Sequence, residues 1–132
     1  AVRDNDLSCV LRVRSARHTA LLSGDIERAS EAALLRRVPG DLRADVMLAP
    51  HHGSATSSSI GFLRHVQPKI VIFTVGHRNR FGHPAGAVVE RYAGVGAARY
   101  RSDRHGAIEV RMGSDLGVRA WRETHRRYWQ GR

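Results

Sequence analysis

Three short polar segments carry the residue types that do chemistry: Ser23-Gly24-Asp25, His51-His52-Gly53-Ser54 and Asn79-Arg80-Phe81-Gly82-His83-Pro84. Each follows an apolar run that reads as a strand, and strand ends are where layered α/β proteins build their sites. Asp25 supplies a hard anionic oxygen, suited to a divalent cation or to bridging two. Gly-Asp before a helix is equally ordinary turn and N-cap chemistry. His51-His52 adds imidazole nitrogens at the mouth of a strand. On an extended segment adjacent side chains point opposite ways, so one of the pair faces a given metal. The other is left to contact a phosphate or move a proton, or both are structural. Gly53 permits a tight turn, and the Ser54 hydroxyl with nearby amides can hold an anion at a helix start. His83 can bind substrate, act as a general acid or brace its loop. His77, Arg78 and Arg80 beside it favour a phosphate. Asp103 can orient a histidine, although turn chemistry explains it more simply.

These segments need elements to position them. Residues 7–14 (LSCVLRVR) and 19–22 (TALL) read as strands, and 26–38 as a helix with Ile26, Ala29, Ala33, Leu34 and Val38 near one face. Asp25 is its expected N-cap, and Pro39-Gly40 ends it. Residues 45–49 (DVMLA) form a short buried strand, and a Ser/Thr cluster offers N-caps for a helix over 58–66. Residues 69–75 (KIVIFTV) are apolar on both faces and so make the central strand. A loop over 76–84 leads to a helix over 85–93. Two short strands, 97–101 and 107–112, follow around a turn at 102–106. The order predicts a layered α/β domain with a mixed sheet. His18, His65 and His125 read as surface or structural, and Cys9 as a small buried side chain.

Composition sets the partners. The chain has 132 residues, enough for one domain, and 42% are hydrophobic against 26% charged, which is globular. No apolar run approaches about 20 residues, so nothing in it reads as a membrane span. The first residues show neither an initiator Met nor a signal-peptide pattern, and read as an internal start. One cysteine excludes an internal disulfide and a Cys-based metal site. Lys+Arg is 22 against 12 acids, for a net charge of +10. That excess favours polyanions, nucleic acid or an anionic surface, unless it only reflects an Arg-rich composition. Trp121, Tyr128 and Trp129 interleave with Arg119, Arg122, Arg126 and Arg127. This segment suits stacking on single-stranded nucleic acid, or docking onto the domain, especially by Trp121.

The succession NDLSCVLRV, LLSGDIE, ADVMLAPHHGS, NRFGHP and SDRHGAIEV resembles the C-terminal metallo-β-lactamase-like domain of the ComEC family. Its members are membrane channel proteins for DNA internalisation in competent bacteria. The ending RRYWQGR is similar too, and the resemblance runs from about Asn5 to the end. HHGS alone is shared across several branches, whereas HHGS between SGD and NRFGHP is much more specific. The resemblance implies an αβ/βα sandwich of two facing mixed sheets, with this chain a single domain over 1–132. It also implies a divalent metal, zinc or manganese, that activates water against a phosphodiester. By that resemblance Asp25 bridges metals, and His51 or His52 is a terminal ligand. His52 and His83 are the catalytic candidates, while Arg78, Arg80 and Ser54 are the nucleic-acid contacts. The implied partners are DNA, single-stranded, and the rest of a channel protein in the inner membrane, of which this is a soluble domain.

One departure is large. The superfamily's HxHxDH motif, which supplies most ligands, is missing, so the chain resembles only the second half of the domain. The metal site is then expected to be incomplete and the fragment inactive. The uncovered sheet face is expected to drive self-association into a homo-oligomer. Two other readings stand beside this one. They are a non-catalytic basic DNA-binding module, and a hydrolase of another phosphodiester such as phosphorylcholine.

Overall fold

A computed structural model describes residues 2–127. The central strand predicted from KIVIFTV is β4 (Ile70–Phe73), buried along its whole length. It lies between β3 (Val46–Leu48) and β5 (Ala98–Arg101) in a five-stranded sheet of order β1-β2-β3-β4-β5. Strands β2 (Thr19–Leu22) to β5 run parallel, and β1 (Leu11–Arg14) joins antiparallel at one edge. Helices α1 (Arg28–Arg37), α2 (Ile60–Val66) and α3 (Gly86–Gly94) connect the parallel strands in turn. Sequential right-handed crossovers place all three on one face of the sheet. A hairpin of β6 (Ile108–Met112) and β7 (Leu116–Ala120) forms a separate sheet. One-turn helices α4 (Ser102–His105) and α5 (Trp121–Thr124) flank it.

Strand alternation divides the apolar residues between two cores. Leu21, Met47, Val71 and Phe73 face the helices and pack with Phe62, Leu63, Val66, Val88 and Tyr92. Their register neighbours Ala20, Val46, Ile70 and Ile72 face the other way and meet Ile108, Val110, Leu116 and Val118 of the hairpin. The layers are therefore helices, mixed sheet and second sheet, consistent with an αβ/βα sandwich. The hairpin covers part of the face expected to be open. Leu11 and Val13 on edge strand β1 stay 55% and 40% exposed.

Several local expectations are corrected. Cys9 is exposed, because the chain before β1 makes a 3₁₀ turn at Asp4–Leu7 and the strand starts only at Leu11. The N-cap of α1 is Glu27, with Asp25 two residues earlier in the turn. Ala29 and Val38 are exposed, and the residue of α1 that is fully buried is Glu31. The turn at 102–106 contains the helical turn α4. Strand β7 has no counterpart among the predicted strands. Gly117 inside LGVRA weakens its strand signal, although the Gly113-Ser114-Asp115 turn between two alternating runs marks a hairpin. Tyr128 and Trp129 lie outside the described residues. Trp121 is half exposed and stacks on His125, with ring centroids 3.7 Å apart.

Candidate metal and phosphate site

The three chemistry-bearing segments follow β2, β3 and β4, and parallel neighbours deliver them to the same edge of the sheet. Backbone and hydroxyl bonds then tie them together. The buried Ser23 Oγ donates to the Leu48 carbonyl at 2.9 Å, and His51 N donates to the Gly24 carbonyl at 3.0 Å. Asp25 N donates to Ser8 Oγ at 3.1 Å. Gly53 O accepts from Ala85 N at 2.9 Å, which fixes the histidine turn against the His83-Pro84 segment.

The two histidines do not sit on extended chain. His51 and His52 are both left-handed, with φ of 48° and 56°. Such backbone costs about 1–2 kcal/mol per residue outside glycine. The turn sends the rings different ways, with centroids 6.4 Å apart. His52 Nε2 reaches Asp25 Oδ1 at 3.5 Å. Its other nitrogen, Nδ1, lies 2.7 Å from the Thr74 carbonyl, which can only accept. The ring proton is therefore on Nδ1, and in neutral His52 the Nε2 lone pair faces the Asp25 carboxylate. Two acceptors so placed need a proton or a cation between them.

His51 faces Glu27 instead. Its Nδ1 lies 3.3 Å from Glu27 Oε1, but the approach is not aligned for a hydrogen bond, and Nδ1 is buried with no other partner. The Asn5 amide donates to Glu27 at 3.2 Å and holds its carboxyl below the usual range. On its other side the His51 ring meets His83 edge-on at 5.7 Å. Burial lowers the pKa of His83, and the nearby His51 and His52 lower it further, which favours its neutral form. Asn79 pins this loop from both sides, its Oδ1 accepting from His83 N and its Nδ2 donating to the His83 carbonyl, each at 2.8 Å. Phe81 stacks beside His83 with centroids 5.7 Å apart, and the Arg80 guanidinium lies 5.0 Å from the Phe81 ring centre.

Asp25, His51, His52 and His83 thus share one edge of the sheet, with Arg78 and Arg80 exposed on the adjoining loop. Ser54 is buried, and its hydroxyl is 3.0 Å from that of Thr56. Asp103 pairs with Arg101 at 2.7 Å, the turn role rather than a histidine partner. Three residues of the site are not among those the sequence singles out. Glu27 is signalled only by its place two residues after Asp25. Nothing in the sequence marks the Thr74 carbonyl or the buried Glu31. Glu31 accepts from Ser58 N and from Ser59 N, and so fixes the loop that follows the histidines.

The fit to a divalent metal can be tested on distances. Two ligand atoms each about 2.1 Å from a tetrahedral metal lie about 3.4 Å apart. Asp25 Oδ1 and His52 Nε2, at 3.5 Å, match that spacing. Among the described residues no group of three or more His, Cys, Asp or Glu is placed to hold a metal ion. A catalytic zinc takes about three protein ligands, so this pair fits as part of a site and not as the whole of one.

The fold and site define a layered α/β domain with a histidine–carboxylate cluster at the ends of its parallel strands. No family model matches the chain. It is 37% identical over 130 residues to Competence protein ComA of Neisseria gonorrhoeae, covering 98% of this chain and 19% of that protein. It is 31% identical over 114 residues to ComE operon protein 3 of Bacillus subtilis, covering 86% of this chain and 15% of the other. Recombination protein 2 of Haemophilus influenzae is 32% identical over 112 residues, covering 85% and 14%. The chain belongs to the ComEC family of competence proteins. It spans less than a fifth of the length of these relatives. Among the described residues no helix is long and apolar enough to cross a membrane.

Proposed function

We propose that this chain supplies part of a metal-dependent phosphodiesterase centre of metallo-β-lactamase type, acting on DNA during its uptake by competent cells. The observation that carries the reading is His52. With Nδ1 committed to the Thr74 carbonyl, its Nε2 is aimed at the Asp25 carboxylate across a gap that suits a cation. Bound zinc or manganese would supply water of lowered pKa and charge neutralisation at the phosphate. Asp25 and His52 are the residues that would hold it, and the Thr74 carbonyl orients His52 as a carboxylate or carbonyl commonly does for a histidine ligand. Neutral His83 is suited to accept a proton or to hydrogen-bond the substrate rather than to act as a general acid at neutral pH. Arg78 and Arg80 are suited to the phosphate backbone, Arg80 through a planar fork of donors. Support for DNA as the substrate comes from the relative named Competence protein ComA, and from the net charge of +10.

The test measures Zn²⁺ and Mn²⁺ binding by calorimetry for a longer protein that includes an HxHxDH segment, and for its Asp25→Asn and His52→Gln variants. A nuclease assay on single-stranded DNA runs alongside on the same proteins and on this chain alone. The expected result is metal binding that each substitution weakens at least about tenfold, with cleavage by the longer protein only. Unchanged metal binding in both variants refutes the site. A second reading, a DNA-binding module without catalysis, is favoured by the exposed Arg80–Phe81 pair. It requires DNA affinity that falls steeply with salt and ignores chelator, with the longer protein inactive.

A further inference from the structure

Phe81 lies on the loop between β4 and α3. It is 68% exposed, at the tip of a polar loop, and it belongs to neither hydrophobic core. Its position is nonetheless braced. Asn79 closes the loop with two side-chain bonds to the backbone of His83, and Gly82 N donates to the Asn79 carbonyl. Gly82 takes a φ of 65°, which an L side chain rarely adopts, and so lets the chain turn back just after the ring. The ring is flanked by the Arg80 guanidinium at 5.0 Å and by His83 at 5.7 Å. His83 in turn touches His51, whose neighbour His52 faces Asp25. A largely exposed aromatic ring is therefore held two side chains away from the proposed reaction centre, with a guanidinium fork beside it.

We propose that Phe81 is a stacking platform for a base of single-stranded nucleic acid, with Arg80 holding the adjoining phosphate. The inference rests on the phosphodiesterase reading for its substrate class and adds how the strand is held. Every base offers a π-face, so a platform of this kind binds without regard to sequence and requires an unpaired base. Arg80 serves twice, since guanidinium packs on an aromatic face and also pairs with phosphate. The strand is thereby placed with its backbone running from Arg80 past His83 toward Asp25 and His52. In a duplex the base faces are already stacked on one another and cannot reach the ring.

The experiment uses the 132-residue chain with chelator present, so that no step depends on metal or cleavage. Fluorescence anisotropy reports binding to a labelled 12-mer of deoxythymidine, to an abasic strand of the same length, and to a duplex. The expected result for Phe81→Ala is a loss of at least about fivefold on the thymidine strand and none on the abasic strand, in line with stacking energies. Phe81→Trp should restore or exceed the original affinity. Arg80→Ala should weaken both strands alike. Equal losses of Phe81→Ala on both strands overturn the proposal, as does an unchanged affinity or a wild-type chain that binds duplex as tightly as single strand. Failure of the phosphodiesterase reading looks different: the longer protein would not cleave, while the Phe81 pattern would persist.

Discussion

Gly53 tests whether the histidine turn is held by packing or merely by its own preference. It follows His51 and His52, takes a φ of 83°, and is buried. A Cβ placed there would lie 2.7 Å from Phe73 Cδ1 and 2.7 Å from Pro84 Cβ. Neither neighbour is free to withdraw, since Phe73 is fully buried on β4 and Pro84 is buried beside the His83 loop. Gly53→Ala therefore meets two costs. The left-handed backbone costs about 1–2 kcal/mol for a residue with a Cβ. Overpacking a filled site costs about 1–3 kcal/mol more. The sum is about 2–5 kcal/mol, a large share of the roughly 5–15 kcal/mol of a whole domain. With a urea dependence of about 1.5 kcal/mol per molar, the unfolding midpoint should fall by about 1.3–3.3 M. Gly61 is the control. It lies in α2, an added Cβ there would meet nothing within 4 Å, and its backbone is ordinary. Gly61→Ala should leave stability unchanged or raise it by about 0.5–1 kcal/mol. If Gly53→Ala unfolds within about 0.5 kcal/mol of the parent chain, or if Gly61→Ala costs as much, the packing argument fails.

Two further outcomes follow from carboxylates that accept hydrogen bonds, one buried and one half-buried. Glu31→Gln replaces one of two acceptor oxygens with an NH₂ group facing a backbone N–H of Ser58 or Ser59. The expected cost is about 1.5–3 kcal/mol, with faster amide exchange at Ser58 and Ser59, and equal exchange in both proteins would refute it. Asp45 tests the sign of a pH effect. Burial alone would raise its pKa, but the Lys69 ammonium at 2.9 Å and the Thr19 N–H outweigh it and hold the carboxyl below its usual range. A depressed folded value adds stability above the unfolded pKa of about 3.9, and that stability is lost as pH falls through the folded value. Asp45→Asn should therefore cost about 1 kcal/mol at pH 7 and progressively less below pH about 4. A difference that stays constant down to about pH 2 in urea titrations would remove the ion pair as its cause.

The parts of the fold legible in the sequence are those fixed by local pattern. Residues 70–73 are apolar without a break, and only a strand covered on both sides has a use for that. Ser59 stands in the predicted cap cluster and accepts from Phe62 N at 3.3 Å. What is not legible depends on partners distant in sequence. Glu31 reads as a solvent-facing charge on an amphipathic helix. It is buried because two backbone N–H groups far along the chain, at Ser58 and Ser59, need an acceptor there. Among the described residues strand β7 pairs only with β6, so its signal is a turn and not a strong apolar run.

The histidine turn shows why the site is half legible. Residue types name Asp25, His51, His52 and His83, and parallel strand order brings them to one edge. Their individual roles depend on backbone that no pattern announces. On an extended chain the two rings would point to opposite faces, and one would be lost to the site. Two consecutive left-handed residues keep both rings at the edge, one toward Asp25 and one toward Glu27. That backbone is unfavourable on its own and is held by bonds from outside: His51 N to Gly24 O, and Ser57 Oγ to Pro50 O at 2.8 Å. Strain that persists because its surroundings insist on it points to use. The division of labour follows from it. Under the proposed function His52, with one nitrogen already committed, would be the ligand of the pair, while His51 lies between Glu27 and His83.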